Sequence, residues 1–205
     1  MAIPPKEWPQ LRNAPRSVDL SVGPPARTSP GTIHISTADA QGNLVAVTIS
    51  HGSSIGSCVT VPNTGITLGH GMSRFDPHPG LANSVGPGKR PLNNVCPTIL
   101  RQPGRDVAFG LRGGRRIVSV DLSVAQQLLA GRSMLDVLCA PRLHTEGYDP
   151  IEVTESMPVS VRRELEKMGH RLAVVTTVAG AVNLAGIGRN SLPQAAGSRF
   201  ALAIG

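Results

Sequence analysis

The residues that could carry chemistry in this sequence are hydroxyls, amides and scattered cations, and their spacing excludes several chemistries at once. Cys58, Cys96 and Cys139 form no Cys-x-x-Cys pair, and three thiols cannot all pair within one chain. They read as small buried thiols rather than a metal site or a disulfide framework. The six histidines are dispersed, without His-Glu-x-x-His spacing, so neither a metal nor a cofactor is expected. Among the hydroxyl and glycine positions, Thr32 heads a β-rich run, Ser50 ends the next, and Gly113-Gly114 stands ahead of a helical run. His51, His70 and Arg74, with Asn93 and Asn94, lie in loops. Taken alone, a threonine in a strand is ordinary and a Gly-Gly pair marks a turn. Facing an anion, that pair would offer backbone N–H groups at close range, because glycine permits the approach.

These residues need elements to position them. Residues 1–31 are polar and rich in proline, from Pro4 to Pro30, which disfavours long helices and sheets. They read as a linker or tail, exposed and mobile at its end, GPPARTSPG. From Thr32 the pattern changes. TIHISTA and LVAVTIS are two β-rich runs joined by residues 39–43 in a hairpin. Ile33 and Ile35 alternate with Thr32, His34 and Ser36, as in a half-buried strand. Short runs at 59–61 and 65–68 continue the β character. Residues 70–96, rich in Gly, Pro, Asn and His and without periodicity, form either a functional loop or a disordered one. PTILRQ and DVAFGL make a second hairpin around Pro103-Gly104.

Helices are predicted over 118–130, stopped by Gly131, and up to Ala140 behind a Ser133/Asp136 capping box. A third runs over 158–168, between Pro158 and Gly169. The apolar stretch LAVVTTVAGAVNLAGIG falls short of a spanning helix and reads as two strands turning near Gly180. A last strand is predicted over 200–204. The order predicts an α+β arrangement, a largely antiparallel sheet covered by helices.

Composition narrows the function. A chain of 205 residues, 40% apolar and 16% charged, suits one domain with a real core, or one half of a larger fold. Aromatics are only 2%, so that core must be built from Val, Leu, Ile and Ala. The net charge is +7, yet the only dense cationic group is Arg112, Arg115 and Arg116, and stacking aromatics are scarce. A plain basic surface, or a face that meets an acidic partner subunit, is favoured over nucleic-acid binding, and no membrane partner is expected. The first residues contain no apolar signal-peptide core, which slightly favours the cytoplasm.

Four segments then carry a resemblance. TIHISTADAQGNLVAVTIS, GPGKRPLNNVCPTI, LRGGRRI and APRLH occur in order between Thr32 and His144. Together they resemble the small subunit of the gamma-glutamyltranspeptidase family from residue 32 to about 175. The last thirty residues match poorly. The resemblance implies half of an αββα N-terminal-nucleophile hydrolase sandwich, made by two subunits cut from one precursor. The cut would fall between Gly31 and Thr32, leaving 1–31 on the large-subunit side and 32–205 as the small catalytic domain. Thr32 would be the nucleophile. A threonine hydroxyl needs a base, and a freed α-amine on the same residue can serve, its pKa lying near neutrality. Before the cut that nitrogen is an amide, so processing is activation. Ser50 matches a family threonine whose hydroxyl supports the nucleophile, and Gly113 and Gly114 match the oxyanion glycines. His34 matches a family histidine without a general-base duty.

The substrate pocket departs from the family. Asn93 and Asn94 stand where two serine hydroxyls hold the glutamyl carboxylate; an amide can still donate. Gly52, Gly71 and Arg74 stand where an Asn, a Gln and an acidic residue hold the glutamyl ammonium. Arg74 would repel an ammonium and pair with a carboxylate. The function expected is an amidohydrolase or acyltransferase acting, with its large subunit, on a small-molecule amide whose acyl group is anionic. The alternative is a catalytically inert, unprocessed or truncated relative serving as a binding or structural subunit.

Overall fold

A computed structural model of the chain describes residues 31–53, 55–178, 180–188 and 193–197. Two strands, β1 (Thr32–Ala38) and β2 (Leu44–Ser50), form the first hairpin. Its turn is closed by the Asp39 carboxylate, which accepts from the Gln41 and Asn43 N–H groups and from Asn43 Nδ2. Gly42, at φ +88°, supplies the left-handed residue. This closure sets a register in which Thr32 lies opposite Ser50.

The second hairpin, β3 (Thr98–Gln102) with β4 (Arg105–Arg112), joins β8 (Ala181–Gly188) and β9 (Gln194–Gly197) in an antiparallel sheet of order β3-β4-β8-β9. On one face of this sheet lies α1 (Arg116–Leu129), with α2 (Met134–Cys139) beside it. Ile117, Val120, Val124 and Leu128 of α1 pack with Val107, Phe109, Leu111 and Val182 in the main core. It is an aliphatic core with one aromatic, as the composition requires. A smaller sheet, β5 (Leu143–His144), β6 (Ile151–Thr154) and β7 (Leu172–Val175), contains one parallel pair, β6 with β7, and precedes or follows α3 (Val159–Lys167) along the chain.

The first hairpin packs on the other face of the four-stranded sheet, through its polar side. The His34 ring sits over Gly110, where an added Cβ would collide with it. Asn183 Nδ2 donates to the His34 carbonyl at 2.7 Å, and Ser36 Oγ donates to the Asn183 carbonyl. The opposite side of the hairpin is apolar and open: Ile33, Ile35, Val45 and Ile49 are each about half exposed. The alternation expected of β1 is therefore present, but the hydroxyls and the histidine face inward and the isoleucines outward.

Residues 59–61 and 65–68 form a short antiparallel pair around the Thr60–Thr67 bridge, the Val61 N–H donating to the Ile66 carbonyl at 2.8 Å and the Leu68 N–H to the Val59 carbonyl at 2.9 Å. The two strands expected on either side of Gly180 are present and lie in different sheets: β7 joins β6 while β8 joins β4, and a Cβ added at Gly180 would stand 2.7 Å from Leu111 Cδ1. Cys58 and Cys139 are exposed and Cys96 is half-buried, so the cysteines are not the buried thiols expected. The capped helix is as predicted, Ser133 Oγ accepting from the Asp136 N–H. The Pro-rich segment up to residue 30 and the strand expected at 200–204 lie outside the described residues.

One core residue is costly. Asp121, on the buried side of α1, is 4% exposed and neither carboxylate oxygen meets an N–H or O–H donor. Burial pushes its pKa up to about 7, opposed only in part by the nearby Cys96 thiol. A carboxyl whose folded-state pKa is raised adds stability below its unfolded pKa, and that stability is lost as the pH rises through about 7. The melting temperature should therefore fall by several degrees between about pH 5 and pH 7, at a slope approaching about 1.4 kcal/mol per unit, and level off above the folded-state pKa of about 7. Asp121→Val should flatten this dependence and melt higher at pH 8. An unchanged slope in the variant would assign the dependence to another group.

Candidate active site

One end of the packed sheets collects the candidate residues. The turn of the first hairpin, Ala40–Gly42, shares a cleft with Gln102, Gly104 and Asp106 at the turn of the second. His34 sits over Gly110, further along β4. Strands advance about 3.3 Å per residue, so two more residues in the same direction bring Thr32 over the end of β4. Gly113 and Gly114 follow there. β3 begins at Thr98 opposite Phe109, so Asn93 and Asn94 enter the sheet from this same end. The loop carrying Arg74 returns to it as well. The His70 N–H donates to the His51 carbonyl at 2.8 Å, and Gly69 lies against the Ser50 carbonyl. The cleft at the turns is at the far end and contains none of these residues.

Thr32 Oγ1 and Ser50 Oγ are hydrogen-bonded at 2.9 Å across the register pair, and the Gly52 N–H donates to Ser50 Oγ at 3.1 Å. His34, on the same side of β1, is fully engaged elsewhere. Nδ1 meets Thr48 Oγ1 at 2.7 Å and Nε2 meets Ser36 Oγ at 2.8 Å. Burial lowers its pKa, favouring a neutral ring that donates from one nitrogen and accepts at the other. It is part of the seam between the sheets and makes no bond to Thr32.

Gly113 and Gly114 lie between β4 and α1, with Gly114 at φ +61°. Their carbonyls accept the first helical bonds, from Arg116 and Ile117, both at 3.2 Å. Their own N–H groups have no acceptor among the described residues, and they belong to the positive end of the helix. The first turn of α1 is basic, which the helix dipole disfavours. Two glutamates hold it. Arg115 Nη1 donates to Glu146 at 2.5 Å, and Arg116 forms a fork on Glu152 at 2.9 and 2.6 Å. Ser119 Oγ adds a bond to the buried His144 Nδ1 at 3.0 Å. Sequence reasoning found neither glutamate. They lie 31 and 36 residues from their arginines, with no pattern linking them.

Asn93 Oδ1 accepts from the Asn94 N–H at 2.9 Å, and more weakly from Val95. Its Nδ2 is left as a donor with no partner among the described residues. Arg74 closes a 3-10 turn, Gly71–Arg74. Its carbonyl is tied to Asn83 Nδ2 at 2.7 Å, while its guanidinium has no acceptor among the described residues. Gly52 is at φ +79° and an added Cβ would stand 3.2 Å from the His70 carbonyl oxygen. A family-like asparagine would be strained there. No three His, Cys, Asp or Glu side chains among the described residues are grouped to hold a metal ion.

The family model described as gamma-glutamyltranspeptidase matches residues 6–200. The chain is 38% identical over 157 residues to an acylase ACY 1 proenzyme from Pseudomonas sp., covering 76% of this chain and 28% of that protein. It is 39% identical over 140 residues to a glutathione hydrolase proenzyme from Arthroderma benhamiae, covering 62% of this chain and 24% of that protein. It thus spans about a quarter of the length of these curated relatives. A mutant gamma-glutamyltranspeptidase from Helicobacter pylori superposes with a TM-score of 0.66 at 29% identity, over 80% of this chain and 96% of that one. With the motifs, the α+β fold and the glycine-headed helix all in agreement, the chain belongs to the gamma-glutamyltranspeptidase family.

Proposed function

We propose that this chain is the catalytic part of an amidohydrolase or acyltransferase in which Thr32, once freed from Gly31, is the nucleophile. The observation that carries the reading is the Thr32 Oγ1–Ser50 Oγ bond of 2.9 Å, at the end of the fold where the N–H groups of Gly113 and Gly114 have no acceptor among the described residues. The freed α-amine takes the hydroxyl proton as Oγ1 attacks the substrate amide. Negative charge develops on the former carbonyl oxygen, and the glycine N–H groups at the positive helix end stabilise it. The amine product leaves with the proton. Water or a second amine then takes the acyl group from Thr32.

The acyl group is read as anionic. Arg74 and the Asn93 amide present donors on this end of the molecule, and Gly52 and Gly71 leave no side chain to hold an ammonium. The similarity to an acylase proenzyme supports an acyl group other than gamma-glutamyl. A large half of the same precursor, or a separate chain, covers the open apolar side of the first hairpin, where Ile33, Ile35, Val45 and Ile49 are exposed.

Two experiments test the reading. Co-expressed with its large half, the chain should lose residues 1–31, as mass analysis would show. Thr32→Ala should prevent both the cut and all turnover, so a cleaved or active variant would remove Thr32 from the role. For specificity, Arg74→Asp should shift the ratio of kcat/KM values from dicarboxylic half-amides toward gamma-glutamyl amides. A charged hydrogen bond is worth about 1.5–3 kcal/mol, so the ratio should move by at least about tenfold. An unchanged ratio would place Arg74 in solvent.

A further inference from the structure

The peptide bond ahead of Thr32 shows a feature that turnover does not use. One step beyond the Thr32–Ser50 pair, the ladder of the first hairpin continues: the His51 N–H donates to the Gly31 carbonyl oxygen at 2.8 Å. This carbonyl belongs to the residue that Thr32 would attack in freeing itself. The distance lies in the range of donors that stabilise an oxyanion. Gly31 is also packed without room for a side chain. An added Cβ would fall on the backbone carbonyl of Ser53. That backbone cannot yield easily, because the Ser53 carbonyl accepts from the Gly56 N–H at 3.3 Å and Ser53 Oγ donates to the Gly56 carbonyl at 2.6 Å.

We infer that the His51 backbone N–H is the oxyanion donor of self-cleavage, distinct from the Gly113-Gly114 pair, and that the packing of Gly31 on Ser53 holds the scissile carbonyl on that donor. The inference rests on Thr32 being the nucleophile. In the step itself, Thr32 Oγ1 forms a bond to the Gly31 carbonyl carbon, and the carbonyl electron pair moves onto oxygen, where the His51 N–H meets it. The hydroxyl proton passes to the Thr32 nitrogen. The carbon–nitrogen bond breaks, leaving an ester on Oγ1 and a free amine. Water hydrolyses the ester, giving the Gly31 carboxylate and restoring the Thr32 hydroxyl. The same hydroxyl thus acts twice. In the first reaction the stabilising donor comes from its own hairpin; in the second, from the facing sheet and its helix.

The test follows cleavage over time, by gel and mass, in the full chain co-expressed with the large half. His51→Pro, which removes the N–H, should slow the cut by about 100-fold or more, the usual effect of losing one such donor. His51→Ala, which keeps the N–H, should cut at the wild-type rate. Gly31→Ala should slow the cut at least about tenfold, because its Cβ displaces the carbonyl. Cleavage of His51→Pro at the wild-type rate would overturn the inference, as would slow cleavage of His51→Ala, which would assign the effect to the ring. If His51→Pro loses its cooperative melt, Gly31→Ala decides, and wild-type cleavage there would overturn the inference. Thr32→Ala separates the two levels: a cut in that variant defeats the Thr32 reading itself, whereas an uncut Thr32→Ala beside a normally cut His51→Pro defeats only this inference.

Discussion

The arrangement depends on a histidine ring seated on a glycine. His34 occupies the space that a side chain at Gly110 would fill, and both of its nitrogens are taken by hydroxyls of its own hairpin. A buried imidazole left unpaired would cost on the order of 1–3 kcal/mol. Satisfied by Thr48 and Ser36, it becomes the peg that fixes the hairpin over β4. Asn183, opposite Gly110 in the ladder, adds a bond to the His34 carbonyl and receives one from Ser36. The seam is polar, directional and specific in register. An apolar seam would tolerate sliding; this one places Thr32 two residues from a fixed point.

The second partner of the site is placed by charge rather than by packing. Gly113 and Gly114 have no side chains to anchor them, so their position is that of the first turn of α1. Arginines at a helix N-terminus oppose the dipole, and Glu146 and Glu152 offset them while tying the turn to the segment carrying β5 and β6. The arrangement leaves the positive end of the helix dipole beside N–H groups that have no acceptor among the described residues, which suits an anion. The same helix carries Asp121 on its buried side, with no N–H or O–H donor for its carboxylate among the described residues. α1 thus combines a well-held first turn with an uncompensated group in the core.

Much of this was legible in the sequence. The two hairpins, the three helices and the capping box followed from alternation, turn residues and helix stop signals, because each is encoded within a dozen residues. β5, β6 and β9 were missed; at two to four residues they are too short to show a period. The partners of β7 and β8 were not legible because strand pairing is a long-range property: the strands on either side of Gly180 enter different sheets. Among the site residues, Thr32 and Ser50 meet as the spacing allowed. The glutamate clasp was invisible, since nothing local links Glu152 to Arg116. The direction of the first hairpin was also invisible: period two shows that one face is apolar, not which face the rest of the chain covers.

That direction bears on the proposed large half. A two-stranded ribbon is marginal in water by itself, and among the described residues this one is supported from one side only. Its inner surface gives up apolar contact in favour of hydroxyls and a histidine, which the placement of Thr32 requires. The isoleucines and valines that would ordinarily stabilise a ribbon against its own sheet are therefore turned outward, where Ile33, Ile35 and Ile49 remain about half exposed. Burying them offers roughly 25 cal/mol per Å² of apolar surface removed from water. The same alternation that aims the hydroxyls at the facing sheet thus presents an apolar surface to the proposed large half. A change that turned the isoleucines inward would slip the register by one residue, and Thr32 would leave the site with them.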